Sequence, residues 1–127
     1  PPVLGLGDTG VLDPAEQHSR VLSIGEQQRL ALSRVCALHP RVLFLDDPTA
    51  HLEPSSTRMV EDIITRIGDG GTKIIMTSHD MGQVQRLADE ILFLHGGHLV
   101  EQTSVDQFFS QPRTQEGKLF VEGSLLW

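Results

Sequence analysis

Three short stretches of this chain gather side chains that could do chemistry. "VLFLDDPTAHLE" ends an apolar run, Val42–Leu45, in two adjacent carboxylates, Asp46 and Asp47. A carboxylate at the end of a hydrophobic strand is costly to bury unless it is paired, hydrogen-bonded or serves a cation. In phosphate-handling α/β proteins such an aspartate holds Mg2+, often through water, and a neighbouring carboxylate can orient or deprotonate an attacking water. The alternative is that both residues simply cap the turn before Pro48. "TKIIMTSHD" delivers Ser78, His79 and Asp80 at the end of a second apolar run, where His79 is either a phosphate contact or a loop histidine. In "VLSIGEQQRLALSRV", Ser23 and Glu26 have the spacing of a capping box at a helix start. Free N–H groups and the helix dipole favour an anion at such a place, although many capped helices hold none.

Other chemistries find little support. Cys36 is the only cysteine, which excludes an internal disulfide and a cysteine metal cluster, and its apolar helical setting predicts buried packing. His18, His39, His51, His95 and His98 lack metal-ligand spacing, and no G-x-S-x-G or H-E-x-x-H occurs. The formal net charge of −7 argues against general nucleic-acid binding, but not against a nucleotide held by a few N–H groups and a cation. With 127 residues, 39% hydrophobic and 21% charged, the composition is that of a soluble globular domain with a real core. No apolar run approaches the ~20 residues of a membrane-spanning helix, and "PPVLGLGDTG" lacks the pattern of a signal peptide.

The elements that must position these residues alternate. A helix is predicted over 25–38, blocked by Pro40, and Val42–Leu45 reads as a strand buried on both faces. Pro54 opens a helix whose Val60, Ile63, Ile64 and Ile67 share one face until Gly68. The second strand follows, then a short helix with Met81, Val84, Leu87 and Ala88. "EILFLHGGHLVEQ" reads as two strands joined at Gly96 and Gly97. "SVDQFFSQP" is a helix capped by Ser104 and stopped by Pro112, and the tail "RTQEGKLFVEGSLLW" is partly helical. This order predicts an α/β layered domain with a mainly parallel core sheet and a C-terminal β-hairpin, whose ligands sit at the carboxyl ends of the strands.

Together these stretches resemble the ATP-binding-cassette (ABC) ATPases. "LSIGEQQR" (22–29) resembles their signature motif, "VLFLDD" (42–47) their Walker B strand, "PTAHLE" (48–53) their D-loop and "IIMTSHD" (74–80) their switch-histidine segment, in the family's order. The resemblance implies a partial P-loop NTPase-like fold. Residues 1–40 would end the helical subdomain and 41–127 would run from Walker B through the C-terminal core. It further implies ATP and Mg2+ as cofactors. Ser23, Ile24, Gly25, Glu26 and Gln27 would meet the γ-phosphate of ATP held mainly by the opposite subunit. Asp46 would serve Mg2+ through water, Asp47 stands where the catalytic glutamate usually stands, and His79 would contact the γ-phosphate. Ala50, His51, Leu52 and Glu53 would form the D-loop. The implied partners are a second ATPase subunit, as a homodimer, and a transmembrane permease, with no nucleic acid. The implied place is the cytoplasmic face of the inner membrane. "LADEILFLHGGHLVE" and "FVEGSLLW" most resemble importer subunits for oxyanions such as tungstate, molybdate or phosphate.

The sequence also departs from the family. No G-x-x-x-x-G-K-[ST] occurs; "GLGDTG" (5–10) has no lysine, and the Q-loop region is missing. The expectation is therefore the carboxyl-terminal part of a cassette, which alone neither binds ATP tightly nor hydrolyses it. Ile24 replaces a glycine, Glu53 an aspartate, and Asp47 is one methylene shorter than glutamate. Half of a parallel sheet is also expected to expose apolar surface. Two other readings are a truncated cassette acting as a non-catalytic interaction piece and a non-transport ABC ATPase.

Overall fold

The computed structural model describes residues 22–123. The "GLGDTG" stretch, His18 and the final "SLLW" lie outside the described residues. The chain divides after His79 into two compact units. No described helix is long and apolar enough to cross a membrane.

The first unit begins with α1 (Ile24–Ala37). Its capping box forms as the spacing predicts: the Glu26 N–H donates to Ser23 Oγ (3.2 Å) and the Ser23 N–H to Glu26 Oε2 (2.8 Å). The helix ends at Ala37, and His39 (φ 45°) turns the chain toward Pro40. β1 (Val42–Asp46), α2 (Pro54–Asp69) and β2 (Lys73–Thr77) follow. β1 and β2 pair in parallel, with Val42 opposite Lys73 and Asp46 opposite Thr77. The predicted face of α2 is the heart of the core: Val60, Ile63, Ile64 and Ile67 are buried with Leu32 of α1 and Leu43 of β1. Cys36 is half-buried against this cluster rather than fully buried.

One expectation for β1 fails. The strand is buried on one face only: Leu43 lies in the core, while Val42 is 47% and Phe44 73% exposed. Ile75, the register partner of Phe44, is 37% exposed. The core contains residues from α1, α2 and β1 on the Leu43 side, and nothing described covers the other side. The apolar surface expected of half a parallel sheet is thus present.

Gly25 has a packing reason to be glycine. A Cβ there would lie 2.8 Å from Ser56 Oγ and 3.0 Å from Ser56 Cβ, so the first turn of α1 packs directly on the Ser56 side chain in the first turn of α2. A side chain at Gly25 would require Ser56 to shift.

The second unit starts with α3 (Met81–Leu87), whose cap Asp80 accepts from the Gln83 N–H at 3.0 Å. β3 (Glu90–His95) and β4 (His98–Ser104) form the predicted antiparallel hairpin. Gly96 (φ 57°) and Gly97 (φ 76°) are its two turn residues, and both need the left-handed region that glycine enters without cost. α4 (Val105–Ser110) is capped by Ser104 as predicted, and α5 (Gln115–Val121) is capped by Thr114. Phe93 and Phe108 are buried with ring centroids 5.4 Å apart, and Phe120 lies 5.0 Å from Phe93. These tilted ring pairs are the small core of this unit.

Glu101 is the polar centre beside that core. It is 5% exposed and accepts from the N–H groups of Arg113 (3.0 Å) and Thr114 (2.9 Å) and from Thr114 Oγ1 (2.6 Å). The same Thr114 oxygen accepts from the Gly117 N–H at 3.1 Å, so one carboxylate anchors the start of α5. A Cβ on Gly117 would fall 2.7 Å from Glu101 Oε1, which makes glycine necessary there. Burial pushes the carboxyl pKa of Glu101 up, but the hydrogen bonds from Arg113 and Thr114 and the Arg113 charge outweigh it and hold the pKa below 4.5. A depressed carboxyl pKa contributes stability above the unfolded value that is lost as pH falls through the folded one. We expect thermal stability to fall on acidification below pH 4.5. Glu101→Gln should flatten that acid limb while costing about 1–3 kcal/mol at neutral pH. Melting temperatures of both forms between acid and neutral pH check this; parallel curves would contradict it.

Candidate functional site

Because β1 and β2 run in parallel with Asp46 beside Thr77, the chain leaves both strands at one edge of the sheet. Three hydrogen bonds fix that edge. Thr77 Oγ1 donates to Asp46 Oδ1 at 2.6 Å, and the Asp47 N–H donates to Thr77 Oγ1 at 3.0 Å and to the Thr77 carbonyl at 3.2 Å. Asp47 has φ 43°, in the left-handed region that aspartate tolerates better than most residues. Non-glycine residues held there cost of the order of 1–3 kcal/mol and cluster at functional sites.

The next residues form a tight turn. The Ala50 N–H donates to the Asp47 carbonyl (3.1 Å), the Leu52 N–H to the Thr49 carbonyl (3.2 Å), and His51 has φ 61°. Leu52 packs on the core, and Glu53 caps α2 with no side-chain cap bond, Pro54 being the first helical residue. The carboxylates do not cap this turn: among the described residues Asp46 accepts only from Thr77, and the Asp47 side chain accepts nothing. Asp46 is exposed and Asp47 half-buried. His79, two residues beyond β2, is exposed and makes no hydrogen bond among the described residues.

The donor set bears on which cation fits. No group of three or more His, Cys, Asp and Glu able to hold a metal exists among the described residues. That does not suit Zn2+, which takes three or four protein ligands. A single exposed carboxylate with one oxygen still open suits Mg2+, which keeps several waters and takes its remaining ligands from phosphate.

The signature stretch lies at the N-terminus of α1. Ser23 is exposed, and the N–H groups of Ile24 and Gly25 have no partner among the described residues, as the first turn of a helix requires. Ile24 is 60% exposed. Glu26 and Gln27 are committed within the loop and helix: Glu26 to the Ser23 N–H and Gln27 Nε2 to the Leu22 carbonyl at 3.0 Å. No hydrogen bond among the described residues joins Ser23 or Gly25 to Asp46, Asp47 or His79. The structure brings Asp46, Asp47 and the residues after Thr77 to one edge of the sheet and sets the signature at the start of α1, where Gly25 packs against Ser56 of α2. Sequence reasoning missed Thr77, which read as one more strand residue; a hydroxyl at a strand's last position beside an acidic neighbour is the signal that would have found it.

The ABC transporter family model matches residues 5–50. The chain is 34% identical over 112 residues to a glutamate transport ATP-binding protein of Corynebacterium efficiens, covering 88% of this chain and 46% of that protein. It is 38% identical over 113 residues to a phosphate import ATP-binding protein of Shewanella denitrificans, covering 89% and 41% respectively. The chain thus spans less than half the length of these relatives. Among solved structures, cbiO1 from Clostridium perfringens, part of the ABC transporter complex cbiONQ, superposes with a TM-score of 0.70 at 26% identity. That match covers 87% of this chain and 44% of that one. The family model, the relatives and the fold agree in kind: the chain is similar to ATP-binding proteins of ABC transporters over most of its own length.

Proposed function

We propose that this chain supplies the signature, Walker B, D-loop and switch-histidine portion of the ATP-hydrolysing subunit of an ABC importer. The observation that carries the reading is the parallel register that sets Asp46 beside Thr77, so that Asp46, Asp47 and His79 leave the sheet at a common edge. In this reading Asp46 holds Mg2+ through water, Asp47 orients the attacking water, and His79 contacts the γ-phosphate. Bound Mg2+ would neutralise charge developing on the phosphate oxygens. Ser23 and the open N–H groups of Ile24 and Gly25 meet the γ-phosphate of ATP held by a second copy, which makes the homodimer the working unit. Of the five signature residues, Glu26 and Gln27 take part through the helix start they build. Ala50, His51, Leu52 and Glu53 form the D-loop turn. The subunit works beneath a transmembrane permease, on the cytoplasmic face of the inner membrane.

For the cargo we propose an oxyanion, supported by the likeness to phosphate import proteins. The likeness to a glutamate transport protein supports an amino acid as the second class. A different role, a non-catalytic interaction piece, draws support from the bare face of β1 and β2, where Phe44 is 73% exposed.

Two outcomes test the proposal. With no G-x-x-x-x-G-K-[ST] to wrap the α- and β-phosphates, the 127-residue chain alone should show no ATP binding tighter than about 1 mM by calorimetry. Micromolar binding would contradict the assignment of its roles. Detergent extraction of membranes from the native source should co-purify the parent protein with a polytopic permease. A parent that purifies free of membrane partners would favour the interaction piece.

A further inference from the structure

The hydroxyl of Thr77 is used twice, and both partners are acidic positions at the strand edge. It donates to Asp46 Oδ1 at 2.6 Å and accepts the Asp47 N–H at 3.0 Å, joining residues 30 and 31 positions away in sequence. A hydroxyl has one proton and two lone pairs, so it can serve both at once. The bond to the carboxylate is charge-assisted and short, the stronger kind. The bond from Asp47 sits where the backbone is least content, at φ 43°. An exposed aspartate would otherwise sample several rotamers, and an unsupported left-handed residue would relax toward ordinary φ.

We propose that Thr77 is a positioning residue for the candidate site: its hydroxyl sets the carboxylate rotamer of Asp46 and, sharing the Asp47 N–H with the Thr77 carbonyl (3.2 Å), helps hold the left-handed backbone of Asp47. The consequence for ligand chemistry is specific. With Oδ1 engaged by Thr77, Asp46 offers its other oxygen in one fixed orientation to a hard divalent cation, and the next residue is locked in place beside it. This rests on the reading of Asp46 as a cation-facing carboxylate; the backbone half of the proposal stands on the Asp47 bond alone.

Nuclear magnetic resonance on the full 127-residue chain separates the two, with Mn2+ as the probe. Amide exchange at Asp47 reports the backbone tie, and paramagnetic broadening at Asp46 on Mn2+ addition reports the carboxylate. Thr77→Val keeps the branched shape suited to a strand but removes the hydroxyl. It should speed Asp47 exchange about twofold to fivefold, the lower part of the effect of one net hydrogen bond because the bond to the Thr77 carbonyl remains, and raise the Mn2+ midpoint at Asp46. Thr77→Ser should restore both, and Thr77→Ala should reproduce the loss if the extra methyl of valine disturbs packing. Unchanged Asp47 exchange in both the Val and Ala variants would overturn the proposal. If exchange changes but Mn2+ leaves Asp46 unperturbed even in the wild type, the positioning of Asp47 stands and the cation reading of Asp46 falls. If Mn2+ broadens Asp46 equally in all forms, the cation reading stands and the positioning of its carboxylate falls.

Discussion

The parallel pairing of β1 with β2 is the constraint on which the site depends. Parallel strands put both carboxyl ends on the same side of the sheet, and the register sets which residues meet there. A shift of one residue would turn Asp46 to the opposite face and remove Leu43 from the core. The register is held from below by Leu43, packed with Val60, Ile63 and Ile64 of α2, and from above by the Thr77 hydroxyl. Hydrophobic packing and a polar tie therefore specify the same alignment. Consistency between levels of this kind is what lets a short two-strand sheet hold one arrangement.

The two polar anchors of the chain follow a common logic. Glu101 gathers three donors at the start of α5, and Thr77 links a carboxylate to an amide at the strand edge. In each case the partners come from far away in sequence, 12 and 13 residues for Glu101 and 30 and 31 for Thr77, and for the buried Glu101 leaving the carboxylate unpaired would be costly. Glu101 is spent inside its unit and cannot serve a ligand. Asp46 retains an open oxygen at the surface, and that difference separates the structural carboxylate from the candidate functional one.

Features set by neighbours in sequence were legible from sequence. The capping box of Ser23 and Glu26, the buried face Val60–Ile67, the two-glycine hairpin turn and the Ser104 cap all lie within one or two turns of chain, so spacing alone reveals them. The alternation of helices and strands, and with it the edge holding Asp46, Asp47 and His79, was legible for the same reason. Burial on both faces of β1 was not, because an apolar run shows what a strand can bury and says nothing of whether anything covers it; Phe44 is left exposed. The roles of Thr77, Glu101 and the Gly25–Ser56 approach escaped because each depends on a partner brought in by the fold.

We propose that the strand edge at Asp46 serves a metal-bound nucleotide. The deciding measurement is Mg2+-dependent ATP hydrolysis by a protein in which this chain is joined to a P-loop segment, with and without Asp46→Asn. Misplacing one positioned group in such a site costs on the order of 10²-fold in rate. A loss of that size in kcat, with the fold and dimer intact, is the predicted result. Hydrolysis unchanged by Asp46→Asn would contradict the account.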